Sequence, residues 1–156
     1  AAKALSKFTG TGRRFDLRGE ANGVSVFDDY AHHPTEIKAT LAGARARYPE
    51  RRIWAVWQPH TYSRTQALYL EFSRAFKDAD EVIVTEVYAA REPKQEFTSA
   101  EIVSGMPHPS ARYLATLPQV TDYLLKNLHP NDVLIVLSAG DADQICADVL
   151  KALKER

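Results

Sequence analysis

Hydrophobic residues follow two alternating spacings along the chain. Unbroken apolar runs, typical of strands buried on both faces, occupy residues 53–57, 82–84 and 133–137. Between these runs, apolar residues recur every three or four positions, as on the buried face of a helix: Ile37, Leu41, Ala44 and Tyr48; Leu68, Phe72, Ala75 and Phe76; Val120, Leu124 and Leu128. A short strand at 112–114 and a final helix at about 142–154 complete the alternation.

The start of the chain follows a different pattern. Residues 1–12 end in Gly10-Thr11-Gly12, and we interpret them as a linker from an upstream domain. From Phe15 onward, apolar residues alternate with charged ones up to an Asn22-Gly23 turn signal, after which Val24 opens a second strand. The pattern predicts one domain over residues 13–156 that begins with an antiparallel hairpin.

Strands and helices in alternation favour right-handed crossovers and a mostly parallel sheet. The predicted fold is therefore α/β and doubly wound, Rossmann-like, with helices on both faces and the hairpin at its N-terminal end. Four capping-box patterns mark helix starts: Ser63 with Gln66, Thr98 with Glu101, Thr116 with Gln119, and Asp141 with Gln144.

Charge and composition narrow the function. The 156 residues carry 20 basic and 20 acidic side chains, so no net positive field favours nucleic acid. The longest apolar runs are five residues, against the roughly 20 needed to span a bilayer, so no membrane segment is expected. The single cysteine, Cys146, excludes an internal disulfide, is expected to be buried in a helix, and fits a reducing cytoplasm.

Functional groups are concentrated directly after the predicted strands. In a doubly wound sheet, ligands bind beyond the carboxyl ends of the strands. The segments at these positions are Asp28-Asp29-Tyr30-Ala31-His32-His33-Pro34, Gln58-Pro59-His60-Thr61-Tyr62-Ser63-Arg64-Thr65, Glu86-Val87-Tyr88-Ala89-Ala90-Arg91-Glu92 and Ser138-Ala139-Gly140-Asp141.

The first of these segments allows two interpretations. Asp28, Asp29, His32 and His33 have the composition of a divalent-metal site, which would suit a stand-alone metal-dependent hydrolase. Alternatively, Asp28 and His33 orient the loop and cap the helix that opens at Pro34, which we favour because adjacent residues on a turn usually point apart.

The second segment offers an anion site. Arg64, beside His60 and Ser63 near a helix start, can hold a carboxylate or phosphate through two parallel hydrogen bonds; otherwise it is a surface residue packed on Tyr62. The chain has no phosphate-binding G-x-x-x-x-G-K-[ST] loop. We therefore interpret it as half of a site that another domain completes.

These strings, with Arg13-Arg14-Phe15 before them and Ala139-Gly140-Asp141 after them, closely resemble the C-terminal domain of Mur ligases, specifically the branch that adds L-alanine to UDP-N-acetylmuramate. The resemblance extends over essentially the whole chain. Thr61 stands where that branch often has Arg, and Arg91 and Ser138 where it usually has Gly.

The resemblance implies a reaction in peptidoglycan synthesis. ATP phosphorylates the lactyl carboxylate of UDP-N-acetylmuramate, and the amine of L-alanine attacks the resulting acyl phosphate. In this family the N-terminal domain holds the UDP-sugar, and the central domain carries the phosphate loop and most of the contacts to Mg²⁺. The C-terminal domain closes over ATP and the amino acid, so a fragment like this one is expected to be inactive alone.

The resemblance also implies roles for six residues. Asp29 would accept hydrogen bonds from the ATP ribose, and Arg14 would meet the ATP phosphates. The groups around the alanine would be Tyr30, His32, His60 and Arg64. No catalytic residue and no metal ligand is assigned to this domain. A nucleotide-binding module without catalysis remains a further alternative to the ligase.

Overall fold

The structure, a computed structural model, describes residues 14–156. The proposed linker, residues 1–12, lies outside the described residues, as does Arg13. The strands are β1 (Asp16–Ala21), β2 (Val24–Asp29), β3 (Ile53–Gln58), β4 (Glu81–Val84), β5 (Ala111–Tyr113) and β6 (Val133–Ser138). The helices in this part of the chain are α1 (Pro34–Arg47), α2 (Tyr62–Ala67), α3 (Tyr69–Ser73), α4 (Ala100–Ser104), α5 (Leu117–Asn127) and α6 (Gln144–Lys154).

The six strands form one sheet in the order β1-β2-β6-β3-β4-β5. Only the β1–β2 pair is antiparallel, and Asn22 and Gly23 at its turn have φ of 51° and 79°, the left-handed pair that a two-residue hairpin requires. The other four pairings are parallel. The predicted hairpin and mostly parallel sheet are confirmed.

Each face of the sheet is covered by helices. On one face, Ile37 of α1 and Ile102 of α4 pack in the same core as Trp57 of β3. On the other face, Val120 of α5 and Cys146 of α6 share a core with strand residues. Cys146 is fully buried in its helix, as the pattern predicted.

The apolar positions from Leu68 to Phe76 do not form the single helix that their spacing predicts. The chain turns at Leu68, which has φ −111° and ψ 26°, and so separates α2 from α3, while Phe76 lies beyond α3. Phe72 and Phe76 both pack on Trp57, with ring centroids 4.6 and 5.4 Å away. The contacts of Phe72 and Phe76 with the Trp57 ring are thus made from a broken helix and the turn after it, not from one regular helix.

Of the four predicted capping boxes, only Thr116 with Gln119 forms. The other three are wrong: the side chains that would cap are bonded to tertiary partners, although Thr98 Oγ1 also accepts from the Ala100 amide at 3.3 Å. Ser63 Oγ donates to Glu92, Thr98 Oγ1 donates to Glu86, and Asp141 Oδ1 accepts from Gln58.

No helix within residues 14–156 combines the length and the hydropathy that crossing a bilayer requires.

Candidate functional site

The two residues predicted to meet a nucleotide lie near the carboxyl end of β2: Asp29 is on that strand, and Arg14 precedes the paired start of β1. Asp29, the last residue of β2, is only 5% exposed. Its Oδ1 accepts from the Ala31 amide at 2.7 Å, and its Oδ2 accepts from the Phe15 amide at 2.9 Å and from Thr40 Oγ1 at 3.1 Å. The Asp29 carboxylate therefore ties the entry of β1 to the loop before α1 and to α1 itself.

Burial raises the pKa of Asp29, although these hydrogen bonds and the nearby Arg14 guanidinium oppose the shift. Arg14 has a side chain that is 66% exposed, and one of its nitrogens lies 3.9 Å from Glu36. Asp29 and Arg14 both line one shallow cavity of about 410 Å³. The residues around it are Arg14, Phe15, Asp29, Thr35, Glu36, Ala39 and Thr40.

The four residues predicted to surround an amino acid lie together in a second group. The rings of Tyr30 and His32 are 5.3 Å apart, and those of His32 and His60 are 6.4 Å apart. Arg64 Nη1 lies 3.5 Å from His60 Nδ1. Residues from the ends of β2 and β3 and from the first turn of α2 thus form one continuous surface.

Burial and the positive charge of Arg64, with a smaller contribution from His32, lower the pKa of His60. His60 is therefore held in its neutral form near pH 7, despite an opposing attraction from Glu92.

Glu36 connects the two groups. Its Oε1 lies 3.7 Å from Nδ1 of His32, four residues earlier in the loop before α1, and its Oε2 lies 3.9 Å from Arg14. The Glu36 carboxylate therefore lies between Arg14, predicted to meet a nucleotide, and His32, predicted to lie near an amino acid.

The loop that carries His60 is held in an unusual conformation. Thr61 has φ 67°, rare for a β-branched residue, and its hydroxyl accepts the Arg64 amide as the cap of α2. The Thr61 amide donates to the Tyr88 carbonyl at 2.8 Å, and the Tyr88 amide donates to the Pro59 carbonyl at 2.8 Å. This backbone bridge places Tyr88 beside His60.

Tyr88 is a site residue that the sequence did not single out. Its ring stacks on His60 with centroids 5.7 Å apart and an 18° angle between the planes, and it is 36% exposed. The signal available was its position after β4, the same kind of position that selected His60 after β3.

Two glutamates in the segment after β4 were also missed. Glu86 accepts from the Val87 and Ser99 amides and from the Thr98 and Tyr113 hydroxyls, and so joins both ends of the loop that carries Tyr88. Burial alone would raise the pKa of Glu86, but these hydrogen bonds together lower it.

Glu92 accepts from the amide and hydroxyl of Ser63, which lowers its pKa. The first turn of α2 is therefore bonded to a carboxylate of the chain itself.

Gln58, at the end of β3, organises the segment after β6. Its Oε1 accepts from Ser138 Oγ at 2.7 Å and from the Ala142 amide at 3.2 Å, and its Nε2 donates to Asp141 at 2.7 Å. Ser138, one of the departures from the family pattern, is thus a buried part of the scaffold.

The four residues of the metal-site alternative do not converge. Asp28 is fully buried in β2 and pairs with Arg18 at 3.6 Å, while His33 caps α1 by accepting the Thr35 amide at 3.3 Å. Within residues 14–156, no three His, Cys, Asp or Glu side chains are grouped to hold a metal ion. The capping role of His33 is confirmed, but Asp29 rather than Asp28 orients the loop.

The fold and this site define a doubly wound α/β domain with its polar groups collected at the carboxyl ends of parallel strands. The family model described as "Mur ligase, glutamate ligase domain" matches residues 13–140. Because this match covers most of the chain, the chain belongs to that family of Mur ligase C-terminal domains.

Similar proteins carry more specific names. A UDP-N-acetylmuramate--L-alanine ligase of Trichormus variabilis is 44% identical over 99% of this chain, and one of Acetivibrio thermocellus is 46% identical over 96%. Each alignment covers 32% of the relative. The chain thus spans about a third of the length of the curated relatives it matches.

Solved structures confirm the fold. A murein peptide ligase from Psychrobacter arcticus superposes with a TM-score of 0.79 at 28% identity, over 99% of this chain and 32% of that one. The UDP-N-acetylmuramate-alanine ligase MurC from Thermotoga maritima superposes with a TM-score of 0.76 at 27% identity, over 98% and 32%.

Proposed function

We propose that the full-length protein containing this chain is the ATP-dependent ligase that joins L-alanine to UDP-N-acetylmuramate, and that this chain is its C-terminal domain. The observation that carries the proposal is the adjacency of the Asp29–Arg14 pair to the His60–Arg64 group, connected by Glu36. A nucleotide and an amino acid bound there would lie next to each other. The names of relatives that are 43–47% identical favour alanine as that amino acid.

Asp29 and Arg14 have the functional groups that would bind ATP. Asp29 already accepts three internal hydrogen bonds, which fix its orientation, and an ionised carboxylate has about four acceptor positions. One position remains for a ribose hydroxyl. Arg14, whose exposed side chain can move, would contact the phosphates.

The second group has the chemistry for an amino acid. Arg64 and His60 would receive the carboxylate of alanine, and Tyr30 and His32 would enclose its amino end. Fixing the carboxylate orients the amine for attack on the acyl phosphate, and such positioning can supply much of a rate enhancement. Domain closure would complete the site.

The remaining components belong to the other domains. The central domain would hold Mg²⁺, which neutralises phosphate charge during transfer; the described residues of this chain offer no cluster of three ligands that fits the ion. The N-terminal domain would bind the UDP-sugar. The reaction would take place in the cytoplasm.

The test is amide formation by the full-length protein. With ATP, Mg²⁺, UDP-N-acetylmuramate and L-alanine, we expect ADP, phosphate and UDP-N-acetylmuramoyl-L-alanine in equal amounts by mass spectrometry and coupled assay. A parallel reaction replaces alanine with a murein tripeptide, because a murein peptide ligase has a closely similar fold. Product from the tripeptide alone would overturn the alanine assignment and keep the ligase class.

A further inference from the structure

The hydrogen bonds of His32 determine which of its ring nitrogens carries a proton. His32 Nδ1 lies 3.0 Å from the carbonyl oxygen of Tyr30. A carbonyl oxygen can only accept, so Nδ1 must be the donor. In the neutral ring, Nε2 then has no proton and presents a lone pair. Glu36, 3.7 Å from the same Nδ1, favours the same tautomer.

His60 has the opposite arrangement. Its Nδ1 faces Arg64 Nη1 at 3.5 Å. A guanidinium group has donors and no acceptor, so Nδ1 of the neutral His60 ring must accept, and the proton lies on Nε2. His60 therefore offers a donor at Nε2, where His32 offers an acceptor.

The two rings lie 6.4 Å apart; Arg64 lies beside His60, and Glu36 lies beside His32. This order of groups matches an α-amino acid, which has a carboxylate at one end and an ammonium group at the other. Arg64 and Nε2–H of His60 can donate to the carboxylate, while Nε2 of His32 can accept from the ammonium group.

Resting on the proposed function, we propose that His32 is the catalytic base that takes a proton from the ammonium group of the incoming amino acid. His60 is the donor that holds its carboxylate. The amino acid must lose this proton before it can react, because an ammonium nitrogen has no lone pair. One proton passes from the ammonium group to Nε2 of His32, which leaves a neutral amine.

The nitrogen lone pair of that amine forms the new bond to the acyl carbon, and the carbon–oxygen bond to phosphate breaks with its electrons on phosphate. The second amine proton leaves with the phosphate, and the imidazolium of His32 returns its proton to solvent. The carboxylate of Glu36 stabilises that imidazolium, in the manner of a carboxylate behind a catalytic histidine.

The groups around the two histidines set the pH response. Tyr30 and Glu36 face His32 from its own loop and from α1, and His60 faces it from the end of β3. Arg64 faces His60 from α2, and Tyr88 and the charge of Glu92 act on it from the segment after β4. The lowered pKa of His60 favours the neutral ring, which Nδ1 needs in order to accept from Arg64.

The test uses His32→Asn in the full-length protein. The Asn amide can donate to the Tyr30 carbonyl from a position close to Nδ1, but it has no base at the position of Nε2. We expect kcat with alanine to fall by about 100-fold or more, the usual contribution of a general base. The acidic limb of the kcat–pH profile should disappear.

Hydroxylamine distinguishes the loss of a catalytic base from structural damage to the site. It is largely unprotonated near pH 7 and can attack the acyl phosphate without a base. His32→Asn should therefore form hydroxamate at a rate close to wild type. The matched control is His33→Asn, because the neighbouring histidine only caps α1 and Asn is a favourable cap; it should behave as wild type with both acceptors.

The role of His60 is tested by two amides. Gln places an amide donor near the position of Nε2, whereas Asn places its amide near Nδ1. His60→Gln should therefore keep a KM for alanine about tenfold lower than that of His60→Asn, a difference equivalent to one hydrogen bond. Equal KM values for the two variants would overturn the donor assignment.

The base assignment fails if His32→Asn loses alanine and hydroxylamine activity equally, or if it keeps the acidic limb. These results require an active wild-type protein. If the wild type forms hydroxamate but joins no alanine, the proposed substrate is wrong. If it forms neither product, the proposed ligase activity itself is wrong.

Discussion

The ring of Tyr88 packs directly against the backbone of Gly140, so closely that a Cβ on Gly140 would lie 2.7 Å from Tyr88 Cγ. The same Cβ would lie 2.6 Å from Gln58 Oε1, which Ser138 and the Ala142 amide hold in place. Gly140 therefore allows the segments after β3, β4 and β6 to meet, and sets the position at which Tyr88 stacks on His60.

Gly140→Ala is expected to lower the free energy of unfolding by about 1–3 kcal/mol, the usual cost of overpacking a rigid contact. Both close atoms belong to groups fixed by other contacts, so neither can move away without loss. Urea denaturation of this chain, followed by circular dichroism, measures the change.

The matched control is Gly43→Ala. Gly43 lies on the exposed face of α1, and a Cβ there would meet nothing within 4 Å. Because Ala is the better helix former, this variant should be more stable by about 0.5–1 kcal/mol. A Gly140→Ala variant as stable as wild type would show that Tyr88 and Gln58 adjust freely.

The chain is expected to fold cooperatively on its own, with a stability of about 5–15 kcal/mol. Its two cores on opposite faces of the sheet are made by its own helices and strands. It should nevertheless have no ligase activity, because it has no phosphate-binding loop. A single denaturation transition tests the first part, and turnover of UDP-N-acetylmuramate and alanine by this chain would contradict the second.

Much of the fold follows from the sequence because burial decides it. The runs at 53–57 and 133–137 are buried on both faces as central strands. The failures occur where a long-range partner competes with a local pattern. Ser63, Thr98 and Asp141 match local capping boxes, but each bonds to a residue from another segment. Spacing along the chain cannot reveal such partners.

The candidate site shows the same division. Position after a strand, together with the family resemblance, selected His60 and Arg64, and the structure brings them together. Tyr88 reaches His60 through backbone hydrogen bonds between the segments after β3 and β4, and Glu86 joins the two ends of the loop that carries Tyr88. Both contacts depend on which strands are neighbours in the sheet. The sheet order, with β6 between β2 and β3, is not determined by the alternating pattern.

Asp132 provides a test of pH dependence at the opposite end of the sheet. Burial alone would raise its pKa, but hydrogen bonds from Arg52, the His129 amide and Trp54 together lower it from the ordinary value of 3.8. Asp132→Asn should cost about 1.5–3 kcal/mol near pH 7, as expected for hydrogen bonds to a charged group.

The sign of the pH effect follows from the lowered pKa. The stabilisation is fully present above the unfolded pKa near 3.8 and is lost as the pH falls through the lower folded value. The stability difference between wild type and Asp132→Asn should therefore be constant from pH 5 to 7, as expected from this linkage, and should shrink below about pH 4. Asp148→Asn, at an exposed position, is the control; a pH-independent difference would contradict the ionic role.

Asp29→Ala in the full-length protein should weaken ATP binding by removing hydrogen bonds worth roughly 1.5–3 kcal/mol. The structure adds a second effect, because the Phe15 and Ala31 amides and the Thr40 hydroxyl would lose their acceptor. The variant should therefore also unfold more easily. Steady-state kinetics at a temperature where both proteins are folded separates the effects, and an unchanged KM for ATP would refute the ribose contact.

Arg64→Lys in the full-length protein tests the amino-acid site most directly. Lys keeps the positive charge but loses the planar fork that orients a carboxylate. It also cannot donate to His60 Nδ1 with the same geometry, so the tautomer of His60 is no longer fixed. We expect the KM for alanine to rise and kcat to fall, while the KM for UDP-N-acetylmuramate stays nearly unchanged.

The competing interpretation makes Arg64 a surface residue that packs on Tyr62. In that case Arg64→Lys should change stability by no more than about 0.5 kcal/mol and leave the kinetics unaltered. Steady-state rates with alanine as the varied substrate distinguish the two, and the UDP-sugar series serves as the internal control. If the variant has wild-type constants for both alanine and the UDP-sugar, Arg64 does not bind the alanine carboxylate. A rise in the KM for alanine alone would show that the guanidinium orients the amino acid.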